Sequence, residues 1–308
     1  MPARAADDPD AIRAIPVRHW GRWVSGAAVL VIVAWVAWSA GRSGFIDGRT
    51  VRHYQFSPLI LRGLRATVEL AVAAQAAGVV LGVVFAVMRL SKNVVASWVA
   101  SFYIWFFRGT PVLVQLFFWY NGVPSVWKRI TIPVPFTHLA LYSGRTVDFM
   151  TPFMAAFLGL ALNEGAYMAE IVRAGIISVD EGQVEAAQAL GMTPMLTMRR
   201  IVLPQAMRVI VPPTGNEFIS MLKTTSLAST VVYGELLRRA SDVYSSNLKP
   251  VPLLVVASLW YLVLTTVASI GQYFLERRFA RGRVGDRQDD VGSPWERVRR
   301  AVGARPRW

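Results

Sequence analysis

The chain has 308 residues, of which 54% are hydrophobic and only 17% charged, and its mean hydropathy is positive at +0.40. A soluble domain usually carries about a quarter charged residues, so the composition argues against a soluble protein and favours apolar membrane spans joined by polar loops. The net charge of +14 raises nucleic acid as a partner, but ten of the 33 Lys and Arg follow Leu275 and most others flank apolar runs. We therefore expect no nucleic-acid partner. Cysteine is absent, which excludes disulfides and thiolate metal sites, and the three histidines have no ligand spacing.

Six apolar runs follow one another along the chain and predict an all-α integral membrane protein. In chain order they are Val24–Ala40, Ala66–Met88, Val94–Tyr120, Met150–Val172, Ala206–Val232 and Val251–Leu275.

The first run also fits a signal peptide, because arginines precede it and Ser39-Ala40-Gly41 follows it. A long leader and the interfacial residues Trp23, Trp35 and Trp38 favour a retained span. The third run is interrupted at Arg108-Gly109-Thr110-Pro111, so its first half is expected along the interface and Pro111 at the start of the span proper.

In the second run, Gly78 and Gly82 form a Gly-x-x-x-Gly pair that allows another helix to come close. Ordinary packing and dimerisation both fit this pair. Pro212 and Pro213 predict a kink in the fifth run. The loop 121–149, with Pro133, Pro135 and Gly144, predicts an irregular excursion on the outer side.

The basic residues favour both termini inside, since that arrangement puts 20 of them on the cytoplasmic side and 11 outside. The predicted organisation is a cytoplasmic leader (1–22), an extra N-terminal transmembrane helix with an outer loop (23–57), a transmembrane domain (58–275) and a basic disordered cytoplasmic tail (276–308).

The cytoplasmic segment 178–204 predicts two short helices at a tight angle. Glu185–Leu190 are strong helix formers, and Gly191 can turn the chain out of the helix. Thr193 is a natural N-cap with Pro194 at the first helical position, and Pro204 restarts the chain before the next span. Such a projection can fit a groove in another protein and transmit rigid-body motion.

This segment resembles the EAA loop of ABC importer permeases, through Glu185-Ala186-Ala187, Gly191 and Ile201-x-Leu203-Pro204. Further motifs are similar to the polar amino-acid permeases, of the histidine, glutamine and arginine type. They are Phe107-Arg108-Gly109-Thr110-Pro111, Gln115-Leu116-Phe117-Phe118, Gly165-Ala166-Tyr167, Leu203-Pro204-Gln205-Ala206, Asn216-Glu217-Phe218-Ile219 and Lys223-Thr224-Thr225-Ser226-Leu227. The likeness runs from about Leu59 to Phe274. Thr225 stands where the family usually has an acidic residue.

The resemblance implies the five-helix transmembrane core of a type I ABC importer, preceded by one extra helix. It also implies a second permease copy or paralogue, an extracytoplasmic solute-binding protein, and separate cytoplasmic ATP-binding subunits that carry the ATP-Mg. No cofactor and no catalysis are expected on this chain. The residues expected to contact the ATPase are Glu185, Ala186, Ala187, Gly191, Met192, Thr193, Pro194 and Met195. The location expected is the bacterial cytoplasmic (inner) membrane.

Charged residues inside the bilayer are costly and usually face a cavity or a partner. Glu164 and Glu217 each lie about nine residues, or ~13 Å, from a cytoplasmic arginine, and each follows an asparagine, Asn163 and Asn216. Together with Glu69, these residues are candidates for the path of a polar or basic amino acid. For Glu217 and Lys223 a structural or gating role is also open, and Arg108, Gly109 and Pro111 are further candidates for that role.

Two other classes of protein remain open from these residues. An ion-coupled secondary transporter also uses broken helices and buried carboxylates, but it predicts an inverted repeat that this sequence does not display. An integral membrane enzyme would need a catalytic cluster, and the sequence contains no evident one.

Overall fold

The computed structural model describes residues 20–42, 47–133 and 139–280. Nearly all of these residues are helical, as the apolar runs predict. Most of the predicted leader and tail, with His19 and His138, lie outside the described residues. The helices are α1 (Trp20–Arg42), α2 (Gly48–Tyr54), α3 (Pro58–Leu90), α4 (Val94–Gly109), α5 (Val112–Phe117), α6 (Val123–Val126), α7 (Thr146–Phe149), α8 (Pro152–Ile177), α9 (Glu181–Ala189), α10 (Pro194–Thr197), α11 (Leu203–Thr224), α12 (Leu236–Asn247) and α13 (Pro250–Ala280).

Two of these helices, Pro58–Leu90 and Pro250–Phe279, are long and apolar enough to cross a bilayer by length and composition. Three further apolar helical stretches are shorter, at Trp23–Val36, Val94–Gly109 and Val112–Val126. The other four predicted spans therefore stay a prediction.

Helices α3 and α8 form the most extensive helix pair of the described fold. Gly78 and Gly82 lie in this contact, where a Cβ on Gly78 would come 2.5 Å from Cγ of Glu164 and one on Gly82 would overlap Met168. The predicted close approach is therefore made within the chain. The main apolar core includes residues of both helices and of α5, with Leu70, Leu116 and Leu160 almost fully buried.

The third apolar run breaks where the sequence predicts, because α4 ends at Gly109 and Pro111 caps α5. Gln115 ties the break together: its Nε2 donates to the carbonyl oxygens of Phe107 (3.0 Å) and Thr110 (3.1 Å). A π-helical turn, Phe118–Gly122, joins α5 to α6.

The fifth run is shorter as an α-helix than predicted. Helix α11 continues through Pro212 and Pro213 and ends at Thr224, after which Thr225–Val231 form a 3-10 helix. The carbonyl oxygen of Pro212 accepts a hydrogen bond from Nε2 of Gln272 in α13, at 3.1 Å. Val232, at φ 63°, ends the helical backbone because it has turned into the left-handed region.

The prediction that the segment 121–149 is irregular was wrong. Strands β1 (Arg129–Pro133) and β2 (Ala140–Arg145) form an antiparallel hairpin, with Ile130 opposite Gly144 and Thr131 opposite Ser143. Pro133 lies at the end of β1, at a register shift, where a missing N–H donor does not interrupt the ladder. Exposed and half-buried residues alternate along the strands, and this alternation indicates β-structure better than the nearby prolines indicate irregular structure.

Two polar contacts hold α2 and its flanking residues against α13 and the residue before it. Asp47 caps α2 and pairs with Lys249, whose Nζ lies 2.7 Å from Oδ2 of Asp47. The indole Nε1 of Trp260 donates to the carbonyl oxygen of Gln55 at 2.7 Å. The hydrogen bond from Lys249 and those from Thr50 hold the pKa of the Asp47 carboxyl well below its usual range.

Candidate functional site

A cavity of about 370 Å³ opens between α5, α8 and α11. Its lining comprises Val112, Leu160, Asn163, Glu164, Tyr167, Glu217, Ser220, Met221 and Thr224. The four residues from α8 and the four from α11 each follow the spacing i, i+3, i+4, i+7, so each helix presents one face to the cavity. Three predicted residues, Asn163, Glu164 and Glu217, are thus brought together.

Glu164 is the most enclosed of these polar groups, with only 5% of its surface exposed. Its Oε1 accepts a hydrogen bond from Nε2 of Gln75 in α3, at 3.0 Å. Glu217, on the facing helix, is near enough to interact electrostatically with it. The cavity therefore brings two carboxyl groups together from two facing helices.

A positive charge stands at the edge of the cavity. The guanidinium carbon of Arg108 lies 5.1 Å from the ring centroid of Tyr167, and Arg108 attracts Glu217 electrostatically. Nδ2 of Asn163 donates to the carbonyl oxygen of Phe107 at 2.8 Å, which ties the last turn of α4 to α8. Gly109 and Pro111, predicted as structural residues, form the break between α4 and α5 beside this contact.

The other predicted membrane residues lie elsewhere. Glu69 pairs with Arg65 at 2.6 Å on an exposed part of α3, and Oδ1 of Asn216 accepts from Nε2 of Gln272 at 3.1 Å. Lys223 lines a separate surface groove with Tyr261 and Thr265 of α13. Asn216 and Lys223 face α13 because they lie on another side of α11 than Glu217. Further along α8, Arg173 forms an ion pair with Glu170, with Nη2 of Arg173 2.8 Å from Oε2 of Glu170.

The loop 178–204 has the predicted form of two short helices. Gly191 takes φ +76°, and its N–H donates to the carbonyl oxygen of Gln188 at 2.9 Å, which closes α9. Oγ1 of Thr193 accepts from the N–H of Leu196 at 3.4 Å, with Pro194 at the start of α10. A π-helical turn, Met198–Val202, leads directly into α11. The loop is thus continuous with a helix that lines the cavity.

Most of the predicted contact residues of the loop are exposed: Glu185, Ala186, Gly191, Thr193, Pro194 and Met195. Met192 is half-buried. Ala187 is only 3% exposed, so its side chain is covered by the chain's own residues. Its place in the motif is therefore explained by packing of α9 as well as by any contact with a partner.

Sequence reasoning missed several polar residues at this site. Ser220 and Thr224 follow Glu217 at helical spacing, a signal that was available. Tyr167 was named only as part of a motif. Gln75 is the polar residue in the middle of an apolar run, yet nothing in the sequence links it to Glu164, 89 residues away. Within the described ranges, no group of three or more His, Asp or Glu is arranged to hold a metal ion.

The chain is similar to a known family and to several of its relatives. Residues 78–281 match the family described as binding-protein-dependent transport system inner membrane component. The arginine transport system permease protein of Corynebacterium glutamicum is 46% identical over 282 residues, covering 91% of this chain and 87% of that protein. The nopaline transport system permease protein of Agrobacterium fabrum is 40% identical, covering 74% and 92%.

Solved structures share the fold. An amino acid ABC transporter solved with histidines is 36% identical, covers 74% of this chain and 97% of its own, and has a TM-score of 0.63. The MetNI methionine ABC transporter, at 18% identity and a TM-score of 0.56, covers 72% and 96% and supports the fold alone.

These likenesses establish the predicted fold class, the all-α transmembrane domain of a type I ABC importer. In such importers ATP hydrolysis belongs to a separate subunit, and a binding protein and a second transmembrane subunit complete the assembly. The chain belongs to the binding-protein-dependent transport system inner membrane components, the membrane-embedded permease subunits of ABC importers.

Proposed function

We propose that this permease carries polar amino acids, cationic ones foremost, through the cavity between α5, α8 and α11 by alternating access. The observation that carries the proposal is the convergence of Glu164 and Glu217 on one cavity from two facing helices. The relative named for arginine transport supports the same class of substrate.

The chemistry of the cavity suits such a substrate. Two carboxylates in a poorly hydrated site attract an ammonium or guanidinium group strongly. Arg108, at the edge, can receive the substrate's carboxylate, while Asn163 and Ser220 offer neutral hydrogen-bonding groups. The volume of about 370 Å³ is in the range of small-molecule sites.

The loop of α9 and α10 is the proposed docking element for the cytoplasmic ATP-binding subunit, which carries the ATP-Mg. Its exposed residues, with Met195 76% exposed, offer a surface to a groove in that subunit. When the ATPase subunits close on ATP, the loop moves with them and α11 moves with the loop, so the cavity opens outward. Hydrolysis returns it inward.

The remaining assignments follow the distribution of charge and the family. Both termini lie in the cytoplasm of a bacterium, and the hairpin of β1 and β2 lies outside, where the solute-binding protein docks. The partner transmembrane subunit is a second copy or a paralogue. Glu69 belongs to the outer end of the path, while Asn216, Lys223, Gly109 and Pro111 support the moving helices.

The assembly, reconstituted in proteoliposomes with its ATPase and binding protein, tests the function. We expect uptake of radiolabelled L-arginine that requires ATP hydrolysis and is competed by other cationic amino acids. Uptake driven by an ion gradient without ATP would indicate a secondary transporter instead. No uptake of any amino acid, with the assembly intact, would contradict the proposal.

Substitution of the carboxylates tests the site. Glu164→Gln is expected to lower kcat/KM for L-arginine about tenfold or more relative to L-glutamine, because a charge-assisted hydrogen bond is lost. Glu217→Gln should act in the same direction. Glu170→Gln, on the same helix as Glu164 but in the pair with Arg173, is the matched control and should leave the ratio unchanged. An unchanged ratio in Glu164→Gln would remove that residue from the site.

A further inference from the structure

Helix α3 contributes no residue to the lining of the cavity, yet it contacts the carboxylate of Glu164. Gln75 is buried, with 8% of its surface exposed, and its Nε2 donates to Oε1 of Glu164 at 3.0 Å. No residue that lines the cavity comes from α3. Gln75 therefore stands behind Glu164, on the side away from the transport path.

A second contact from the same helix constrains the stem of Glu164. Gly78 follows Gln75 by three residues, so the two lie on one face of α3. A Cβ on Gly78 would come 2.5 Å from Cγ and 2.8 Å from Cβ of Glu164, which means that the stem occupies the space a side chain would need. Helix α3 thus holds the side chain of Glu164 at both its methylene stem and its carboxylate.

The amide of Gln75 is placed for this one bond. Within the described residues its Oε1 is buried and has no hydrogen-bond partner. A buried polar atom without a partner costs free energy, so an apolar side chain of similar size would suit this position better for packing alone. The presence of a buried amide at this position is explained by the hydrogen bond that it donates to Glu164.

We propose that Gln75 is a positioning residue that sets the selectivity of the permease for cationic over neutral amino acids, by fixing the carboxylate of Glu164. The inference rests on the proposed function of the cavity. With one oxygen bound to Gln75, the carboxylate of Glu164 is held in one orientation at the wall of the cavity. Without that bond the carboxylate samples several rotamers. The binding of a substrate with a guanidinium group is then weakened more than the binding of a substrate with a neutral amide.

The main test is Gln75→Met, which keeps the length and removes the donor. In proteoliposomes with the complete assembly, the ratio of kcat/KM for L-arginine to that for L-glutamine is expected to fall about tenfold, the usual effect of a hydrogen bond to a charged group. Thr67→Val is the matched control. Oγ1 of Thr67 is a buried acceptor on the same helix, bound by the N–H of Leu236 at 3.1 Å, and its loss should lower the amount of assembly without changing the ratio.

A double substitution separates positioning from direct contact. In the background of Glu164→Gln, adding Gln75→Met should leave the ratio unchanged, because Gln75 acts through the carboxylate that is already gone. An equal fall in both backgrounds would overturn the positioning role. If Gln75→Met does not assemble, Gln75→Asn serves instead, since it withdraws the amide by one methylene and should shift the ratio in the same direction.

The outcomes distinguish this inference from the function beneath it. A shifted ratio in Glu164→Gln with an unchanged ratio in Gln75→Met or Gln75→Asn would overturn the role of Gln75 and leave the cavity as the amino-acid site. An unchanged ratio in Glu164→Gln would remove Glu164 from the proposed site, and the positioning role of Gln75 would be overturned with it.

Discussion

The loop of α9 and α10 and the cavity of Glu164 and Glu217 are built in different ways. The loop is a contiguous segment, whose turn, cap and helix starts involve neighbours such as Gly191 with Gln188 and Thr193 with Leu196. The cavity is lined from three helices and supported by a fourth, with the bond between Gln75 and Glu164 spanning 89 residues. Their roles differ accordingly. A change in the loop should alter transport of all substrates alike, whereas a change at the cavity should alter the choice among them.

The largest effect is expected at Gly191. Its φ of +76° lies in the left-handed region, so Gly191→Val should strain the turn by roughly 1–2 kcal/mol and change the angle between α9 and α10. ATP-dependent uptake of arginine and of glutamine should both fall more than about tenfold, with weaker co-purification of the ATPase. Gly191→Asn, which tolerates this conformation better, should keep most activity. A change in the ratio of the two substrates would break the distinction between the regions.

A smaller effect on uptake is expected from Gly78→Ala, which tests the cavity rather than the loop. The new methyl group would overlap the stem of Glu164, and overpacking of this kind costs about 1–3 kcal/mol. The thermal midpoint of the purified assembly should fall, and the ratio of arginine to glutamine uptake should change. Gly271→Ala is the matched control, since nothing lies within 4 Å of a Cβ there. Equal behaviour of the two variants would contradict the close contact.

Loss of the cap at α10 should be milder. Thr193→Ala removes the acceptor for the N–H of Leu196, at a cost of about 1 kcal/mol in local helix stability. Transport of both amino acids should fall about twofold to fivefold, measured as initial rates at saturating ATP. Thr193→Ser keeps the acceptor and should transport normally. A loss in the serine variant as large as in the alanine variant would show that the cap is not the cause.

The smallest effect is expected at Asp47, which belongs to neither region. Because Lys249 and Thr50 depress its pKa in the folded state, its contribution to stability is present at neutral pH and is lost only as pH falls below the usual range of aspartate. Asp47→Asn should lower the thermal midpoint by no more than about two degrees at pH near 7, and less at high salt. Uptake and its substrate ratio should not change. A difference in thermal midpoint between the unsubstituted protein and Asp47→Asn that appears only above neutral pH would contradict this explanation, because it would have the wrong sign.

The two regions also differ in how far the sequence predicts them. The helices of the loop, its glycine turn and its capped second helix follow from local rules, and all are found. The break before Pro111 was predicted for the same reason. The hairpin of β1 and β2 was not predicted, because Pro133, Pro135 and Gly144 were interpreted as signs of irregular structure. The end of α11 was placed too late, since an apolar composition does not distinguish an α-helix from the 3-10 helix after Thr224.

The residues that line the cavity were predicted in part. Glu164 and Glu217 stood out because charges are rare in apolar runs, and they do line one cavity. Asn216 and Glu69 were named on the same grounds but lie elsewhere, with Gln272 and Arg65 as their partners. Depth along a helix can be counted from the sequence, but the direction a side chain takes around the helix depends on which neighbour packs there.

By itself the sequence determined the membrane class, the order of the helices, the form of the loop 178–204 and the family resemblance. These depend on composition and on backbone preferences of residues near one another in the chain. Only the tertiary structure decided that Gln75 and Gly78 hold Glu164, that Ala187 is covered, and that Arg108 stands beside Tyr167. Such contacts arise from the rotation and register of packed helices, and no local rule specifies those.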